Sequence, residues 1–129
     1  MIRNNIYSGS SLERKVGCSR AVEVGGHIFV SGTSPYAYDE TTVGVGDFEQ
    51  QARRCLEFIS EALEQAGASL QNVVRTRVYM KDMNEFETMA RIHGEFFREV
   101  RPATSFIQVS GFVRPEWLVE IEVEAVREP

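Results

Sequence analysis

A cysteine and an arginine lie two residues apart near the start of the chain, as Cys18 and Arg20. Thiolate character rises near a cation, and the thiolate is the nucleophilic form of cysteine. Cys18 is therefore either a reactive thiol or a small residue that lines a pocket. Arg20 is either a cationic anchor for an anion or a strand-edge arginine, held in water or in an ion pair between subunits.

Three glutamates alternate with apolar residues near the end of the chain, at positions 120, 122 and 124. A positioned carboxylate can activate water for attack on an electrophilic carbon. Alternating glutamates also mark a strand face that is solvated or lies at an interface, and we interpret Glu122 and Glu124 in that way. The pattern alone does not single out Glu120.

Other candidate groups are isolated. His93 falls on an apolar helical stripe and is either a satisfied core or interface histidine or an acid/base group in a cleft. Arg114 is either a second candidate anion anchor or a solvated turn residue. Cys55 lies on an apolar helical face and is expected in the core. No His/Cys cluster has metal-ligand spacing, so neither a metal nor a disulfide is expected.

Composition limits the classes of protein to be considered. The 129 residues carry a formal net charge of −5, with 43% hydrophobic and 26% charged residues. These values are typical of one globular domain over residues 1–129. An acidic surface repels phosphate backbones, so nucleic-acid binding is not expected. No apolar stretch approaches the roughly 18 residues of a membrane helix, and no signal-peptide pattern is present, so we expect a cytoplasmic protein without membrane contact.

Two helices are predicted from apolar residues that recur every three or four positions. Asp47, followed by Gln50 at capping-box spacing, predicts the start of the first helix, and Gly67 predicts its end. Asn84, with Glu87 three residues later, predicts the start of the second. The predicted strands are 20–24, 27–32, 73–80, 104–110 and 117–126, with a short further strand near Ile6-Tyr7.

The order β-β-α-β-α-β-β predicts an α+β sandwich, in which two helices cover one face of a mixed sheet. The strand at 117–126 would then place Glu120 on the other face. Carboxylates there must be solvated, paired or placed at a subunit interface. A second face left open favours oligomerisation.

Seven short segments, in order along the chain, are similar to one known family. None is specific alone, but together they cover most of the chain. On this basis the chain resembles the Rid family, also called the RidA/YjgF or endoribonuclease L-PSP group. The segments are Phe29-Val30-Ser31-Gly32, Gln51-Ala52-Arg53, 64–70, Val73-Val74-Arg75-Thr76, 81–86, Arg101-Pro102-Ala103 and 119–123.

The resemblance implies a chorismate-mutase-like fold and a homotrimer whose sheets face inward to form a barrel. It also implies three clefts between subunits, each of which binds a small organic acid or imine. In the deaminase branch these clefts hydrolyse 2-enamine or 2-imine acids to 2-keto acids and ammonia, and no cofactor is used.

The resemblance also assigns site residues. Glu120 matches the glutamate that positions or activates water. Ser31 and Gly32 match a Ser-Gly pair whose backbone orients the substrate. Thr104 stands where an arginine holds the substrate carboxylate, and Cys18 stands where a tyrosine helps to close the cleft.

Two further departures alter the expected cleft, because Phe106 falls where a small residue is usual and Ala90 where an asparagine is common. Loss of a bidentate arginine contact should cost a few kcal/mol, or about two orders of magnitude in carboxylate affinity, unless another cation such as Arg20 replaces it.

Two hypotheses follow. The first is a hydrolytic deaminase of a reactive imine or enamine, in which Glu120 orients water. The second is a trimer that binds a small metabolite or a partner protein without catalysis. A third interpretation, as a ribonuclease, is disfavoured by the acidic charge and the lack of a basic groove.

Overall fold

The computed structural model describes residues 2–128, which form six strands and three α-helices. Single turns of 3₁₀-helix lie at Leu70–Asn72 and Met83–Glu85. The elements are β1 (Arg3–Ile6), α1 (Ser11–Val16), β2 (Ala21–Val24), β3 (His27–Thr33), α2 (Phe48–Gln65), β4 (Val73–Met80), α3 (Phe86–Phe97), β5 (Ala103–Gln108) and β6 (Val119–Val126).

The six strands form one sheet in the order β1-β2-β3-β6-β4-β5. All neighbours are antiparallel except β4 and β5, which are parallel. The long helices α2 and α3 pack against each other and against one face of this sheet. The predicted α+β architecture, with a mixed sheet and two main helices, is confirmed. The trimer and its barrel remain a prediction.

Helix α2 begins as predicted. The Asp47 carboxylate accepts the backbone N–H of Gln50 at 3.0 Å, and the Gln50 side-chain amide donates back to Asp47 at 2.9 Å. The Asp47 carboxylate therefore accepts one of the backbone N–H groups that have no partner within the helix at its start, and the Gln50 side chain holds that carboxylate in place. Cys55 is fully buried on the apolar face of this helix, as expected.

The start of helix α3 differs from the prediction. Asp82, not Asn84, is the capping residue, because its carboxylate accepts the Asn84 backbone N–H at 2.9 Å and begins a 3₁₀ turn. That turn leads directly into α3 at Phe86, which has no side-chain cap before it. The spacing between Asn84 and Glu87 resembled a cap, but the preceding turn already supplies one.

Helix α1 was not predicted, although its start carries a recognisable signal. The Ser10 hydroxyl accepts the backbone N–H of Glu13 at 3.2 Å, and the Glu13 carboxylate accepts the N–H groups of Ser8 and Gly9 at 3.1 Å. Gly17 ends the helix with φ of 80°, a conformation that glycine adopts without strain. Six residues are too few to show helical periodicity, so only the Ser-x-x-Glu spacing could have indicated this helix.

Strand β6 separates the two faces of the sheet. Val119, Ile121, Val123 and Ala125 are buried under the helices, and the three alternating glutamates lie on the open face. Glu122 accepts a hydrogen bond from the Tyr79 hydroxyl at 2.6 Å, and Glu124 pairs with Arg77 at 3.3 Å. The open face therefore holds paired carboxylates around Glu120.

Strand β4 contains an irregularity that alternation did not predict. Its pairing with β6 shifts register between Val73 and Arg75. As a result Val73 is buried and Val74 is 48% exposed, whereas strict alternation from the buried residues Thr76, Val78 and Met80 would place Val74 on the buried face. A bulge moves one residue to the opposite face, and its position depends on the partner strand.

Candidate functional site

The Glu120 side chain packs against the backbone of β3 at Gly32. A Cβ atom at position 32 would lie 3.2 Å from the Glu120 Cδ and would collide with its Oε1. The Ser34 hydroxyl donates to Glu120 Oε2 at 3.3 Å. Glycine is therefore required at position 32 because the carboxylate occupies the space of a side chain, and a register shift between Val30 and Thr33 brings this stretch of β3 to Glu120.

Burial raises the pKa of the Glu120 carboxyl above its ordinary value. The Ser34 hydrogen bond and the positive charge of Arg20 lower that pKa, and the nearby charge of Glu122 raises it, but these effects are smaller than desolvation. A carboxylate whose pKa is raised toward neutrality is a stronger base and a better acceptor of a proton from water.

Arg20 lies beneath this site and is only 6% exposed. Its Nη2 donates to the carbonyl oxygen of Ser31 at 2.8 Å, to that of Gly32 at 3.1 Å and to Thr33 Oγ1 at 2.9 Å. The guanidinium is thus bound to the bend of β3. It is neither the solvated strand-edge arginine nor the free cation that an anion anchor requires, so the geometry favours a positioning role.

A small hollow of about 50 Å³ brings four of the predicted residues together. Cys18, Arg20, Ser31 and Gly32 all line it, and Glu120 adjoins it through Gly32 and Ser34. Cys18 is exposed with a free thiol. The Ser31 hydroxyl donates to the Ser19 carbonyl at 2.7 Å and so joins the strand to the segment that carries Cys18.

Thr104 and Phe106 lie elsewhere in the chain. They pair in β5 with Thr76 and Val78, two residues of β4 that are buried under the helices. Strand β5 is on the far side of β4 from β6, and these side chains face the helix layer, whereas Glu120 faces away from it. Within one chain the structure therefore does not bring Thr104 or Phe106 to the Glu120 hollow. Their edge of the sheet could reach a Glu120 only from a second copy.

A chain of hydrogen bonds fixes Thr104 in place. Its hydroxyl donates to the Pro102 carbonyl at 3.0 Å and accepts from the Thr76 hydroxyl at 2.8 Å. Since Thr76 donates there, the contact of 2.9 Å between its oxygen and His93 Nε2 must have the imidazole as donor. His93 is thus a satisfied, half-buried histidine in its Nε2–H form, and burial lowers its pKa.

Aromatic side chains surround this hydrogen-bond chain. The ring of Phe106 lies edge-on to Phe86 at 5.1 Å and to His93 at 5.7 Å between centroids. Phe86 is 37% exposed, so this edge of the protein presents an apolar surface beside Thr104.

Six residues that line the Glu120 hollow were not predicted as site residues from the sequence, namely Ser10, Leu12, Glu13, Ser19, Ser34 and Tyr36. Ser34 and Tyr36 fall in a segment that was interpreted only as an irregular loop, and no pattern marked either of them. Among residues 2–128, no group of three or more His, Cys, Asp or Glu side chains is placed to hold a metal ion. Within the same range no helix is long and apolar enough to cross a membrane.

The fold places the protein in the YjgF/YER057c/UK114 class. The crystal structure of Rv2704 from Mycobacterium tuberculosis, a member of that class, superposes with a TM-score of 0.89 and 38% identity, over 98% of this chain and 100% of that one. The sequence profile of the family described as endoribonuclease L-PSP matches residues 9–127. The chain belongs to this family, as the resemblance indicated.

Two further relatives carry functional information of their own. The 3-aminoacrylate deaminase RutC of Acinetobacter baylyi is 36% identical over 94 residues, which are 73% of this chain and 74% of that protein. The crystal structure of E. coli TdcF with bound serine has a TM-score of 0.78 and 29% identity, over 85% of this chain and 87% of that one.

Proposed function

We propose that the protein hydrolyses a small imine or enamine to a carbonyl compound and ammonia, with Glu120 as the base that activates water. The observation that carries this proposal is the Glu120 carboxylate, half-buried against Gly32 and hydrogen-bonded by Ser34, with its pKa raised by burial. Relatives in the family include a deaminase of an enamine acid, which supports the reaction class.

The reaction requires one base that can also return a proton. Glu120 removes a proton from water as the water oxygen bonds to the C=N carbon and the C=N electron pair moves to nitrogen. The nitrogen takes up the proton held by Glu120. Glu120 next takes the proton of the carbinolamine hydroxyl and delivers it to nitrogen, so that the C–N bond breaks as the C=O bond forms and the nitrogen leaves as ammonia. An enamine first takes a proton on carbon and enters the sequence as the imine.

The remaining site residues have supporting roles in this proposal. The backbone of Ser31 and Gly32 orients the substrate, and Arg20 positions that backbone through its bonds to both carbonyls. Cys18 lines the hollow from the preceding segment. None of these roles needs a cofactor or a metal.

We further propose that a homotrimer completes the cleft. The residues that line the Glu120 hollow all come from segments 10–20 and 31–36, and Thr104 and Phe106 lie on a different edge of the same chain. A neighbouring subunit would bring that edge, with its apolar Phe86 and Phe106 rings, against the hollow. The substrate end that contacts Thr104 then meets a hydroxyl whose own bonds are already satisfied.

The Thr104 hydroxyl, with its hydrogen bonds already made within its own chain, favours a second candidate function. This is a trimer that binds a small metabolite without turning it over. Thr104 offers no charge to a carboxylate, so an imino acid would bind weakly at this end. The related TdcF structure contains serine, which shows that a family member binds a small amino acid.

One experiment separates the two functions. A pyridoxal-phosphate enzyme generates 2-aminoacrylate or a longer imino acid in situ, and ammonia release is followed with and without this protein. We expect acceleration by the wild type and by Glu122→Gln, and loss of about two orders of magnitude with Glu120→Gln. Glu122 is the matched control because it lies two residues away on the same face. No acceleration across several imines, charged and uncharged, would exclude the deaminase.

Sedimentation tests the cleft separately. A particle of three chains is expected. A single chain of 14.6 kDa would show that Thr104 and Phe106 of a neighbouring subunit do not complete the cleft.

A further inference from the structure

A hollow of about 320 Å³ lies at the end of α3, on the helix side of the sheet. Two of the residues that line it are arginines, and a third is His93, which the sequence marked as a candidate acid/base group. None of the lining residues takes part in the proposed hydrolysis. They are His93, Gly94, Phe97, Arg98, Arg101 and Pro102.

The guanidinium of Arg98 lies over Gly94, one turn earlier in the helix. A Cβ atom at position 94 would be 2.7 Å from Arg98 Nη2, so a larger residue there would displace this group. Glycine is unfavourable inside a helix because it loses more backbone freedom on folding than alanine does. The space that its missing side chain leaves is filled by the cationic end of Arg98, which lies at the wall of the hollow.

Arg101 reaches the same hollow from the segment between α3 and β5. Its backbone φ is 55°, in the left-handed region that is unfavourable for residues other than glycine. Its N–H donates to the Phe97 carbonyl at 2.8 Å, so the turn that ends α3 holds this conformation. Unfavourable backbone conformations of this kind cluster at functional sites.

The charges around the hollow favour an anion. None of its lining residues carries a carboxylate, and neither arginine forms an ion pair in the part of the chain that the structure describes. Glu95, on the same helix, already pairs with Arg53 and Arg91. Glu99 is exposed and follows Arg98 in the chain. Two arginines against this one unpaired carboxylate leave a local charge of about +1, in a chain whose net charge is −5.

Both arginines also lie near the C-terminus of α3, where cations interact favourably with the helix dipole. That role alone does not account for a glycine beneath Arg98 or for the left-handed backbone of Arg101, because each of these features costs stability. Two guanidinium groups at one hollow match an oxyanion instead, since each guanidinium can offer paired N–H donors to its oxygen atoms.

We propose that this hollow binds the oxyanion group, a phosphate or a carboxylate, of a small metabolite, with Arg98 and Arg101 as the donors. The Phe97 and Pro102 side chains form its apolar floor. All of the lining residues belong to one chain and lie on the opposite side of the sheet from Glu120, so the site depends neither on imine hydrolysis nor on the trimer.

The test uses inorganic phosphate and acetate as probes, at constant pH and ionic strength, with the imidazole resonances as the signal. The chain has two histidines: His93 lines the hollow, and His27 does not, so His27 is the internal control. We expect phosphate to shift the His93 resonances in a saturable manner and to leave those of His27 in place. Saturation by phosphate alone assigns a phosphate site, and saturation by acetate assigns a carboxylate site. Equal shifts at both histidines, or no saturation with either anion up to about 50 mM, would overturn the proposal.

Two variants should weaken binding without weakening the fold. Arg101→Gly removes a guanidinium and relieves the left-handed strain, and Gly94→Ala displaces the Arg98 guanidinium while it improves helix propensity. Each should weaken the binding anion about fivefold or more, with a melting temperature equal to that of the wild type or higher. Arg91→Gln removes the same charge from another turn of α3 and should bind normally.

The contrary results are equally clear. Unchanged anion affinity in both Arg101→Gly and Gly94→Ala would contradict the assignment and leave the two arginines with a helix-stabilising role only. Glu120→Gln should bind the anion normally, and a loss of binding in that variant would place the anion at the Glu120 hollow and contradict the proposal.

Discussion

The carboxylate of Glu120 and the backbone of Gly32 occupy adjoining space with no room for a methyl group between them. The Glu120 Cδ would lie 3.2 Å from a Cβ at position 32, and Oε1 would collide with it. The sheet thus uses the absence of a side chain on β3 to hold a charged group on β6 at a fixed place.

Gly32→Ala should displace that carboxylate. We expect imine hydrolysis to fall by about ten- to a hundredfold, because a shift of about 1 Å in a reacting group has effects of this size, with a stability loss of about 1–2 kcal/mol from the steric conflict. Ammonia release and thermal unfolding measure the two effects. Gly111→Ala is the control, because a Cβ at position 111 would meet no other group within 4 Å. Full activity in Gly32→Ala would show that the position of Glu120 does not matter.

Glu120→Gln should stabilise the protein at neutral pH while it slows hydrolysis by about two orders of magnitude. Burial raises the folded-state pKa of this carboxyl above its unfolded value of 4.5, so the folded state holds its proton to higher pH. The free energy of unfolding therefore falls as pH rises through that window. Glutamine removes this loss, so its advantage should be present at pH 7 and absent below about pH 4. Urea titrations at pH 7 and below about pH 4 measure this stability difference between Glu120→Gln and the wild type. A variant less stable than the wild type at pH 7 would contradict the argument that burial raises the pKa of Glu120.

His93 should produce a pH dependence of opposite sign. Burial lowers its folded-state pKa below the ordinary 6.5, so the unfolded state binds the proton first as pH falls. Stability is then complete above about pH 6.5 and decreases from there down to the folded-state pKa. His93→Gln, which keeps a donor for Thr76, should flatten this slope in urea titrations between about pH 7 and pH 5. His27→Gln leaves His93 in place, so the pH dependence of stability should persist in this variant. If it disappeared, the prediction for His93 would be contradicted.

Arg20→Met tests the positioning role of the buried guanidinium. The Ser31 and Gly32 carbonyls and the Thr33 hydroxyl would lose a shared charged donor at 2.8 to 3.1 Å. We expect a stability loss of roughly 2–3 kcal/mol, measured by urea unfolding. Arg91→Met removes an exposed ion-pair partner of Glu49 and should cost much less. Equal losses for the two variants would show that Arg20 does not organise the bend of β3.

Periodicity predicted most of the fold because it reports local structure. The alternation of β6 placed Glu120 on the open face, and the Asp47 cap located the start of α2, since both depend on residues close in sequence. The exposure of Val74 and the burial of Arg20 depend on partner strands, so local patterns gave the wrong answer. The grouping of Thr104 and Phe106 with Glu120 came instead from the family resemblance, which implies a cleft between subunits. One chain places them on different faces of the sheet, so that grouping stays a prediction about the assembly.

The two cysteines should differ sharply in reactivity, and this difference probes the Glu120 hollow. Cys18 is exposed and lines that hollow, whereas Cys55 is fully buried in α2, where burial raises the pKa of its thiol. Ellman's reagent should therefore modify one thiol per chain in the native state and the second only on unfolding. A bulky adduct on Cys18 occupies space beside Ser31, so the labelled protein should lose hydrolysis of an imine in proportion to the label. Cys18→Ser should retain activity and resist inactivation. Complete labelling of Cys18 with full activity would place the reaction away from this hollow, because a space of about 50 Å³ cannot hold both the adduct and a substrate.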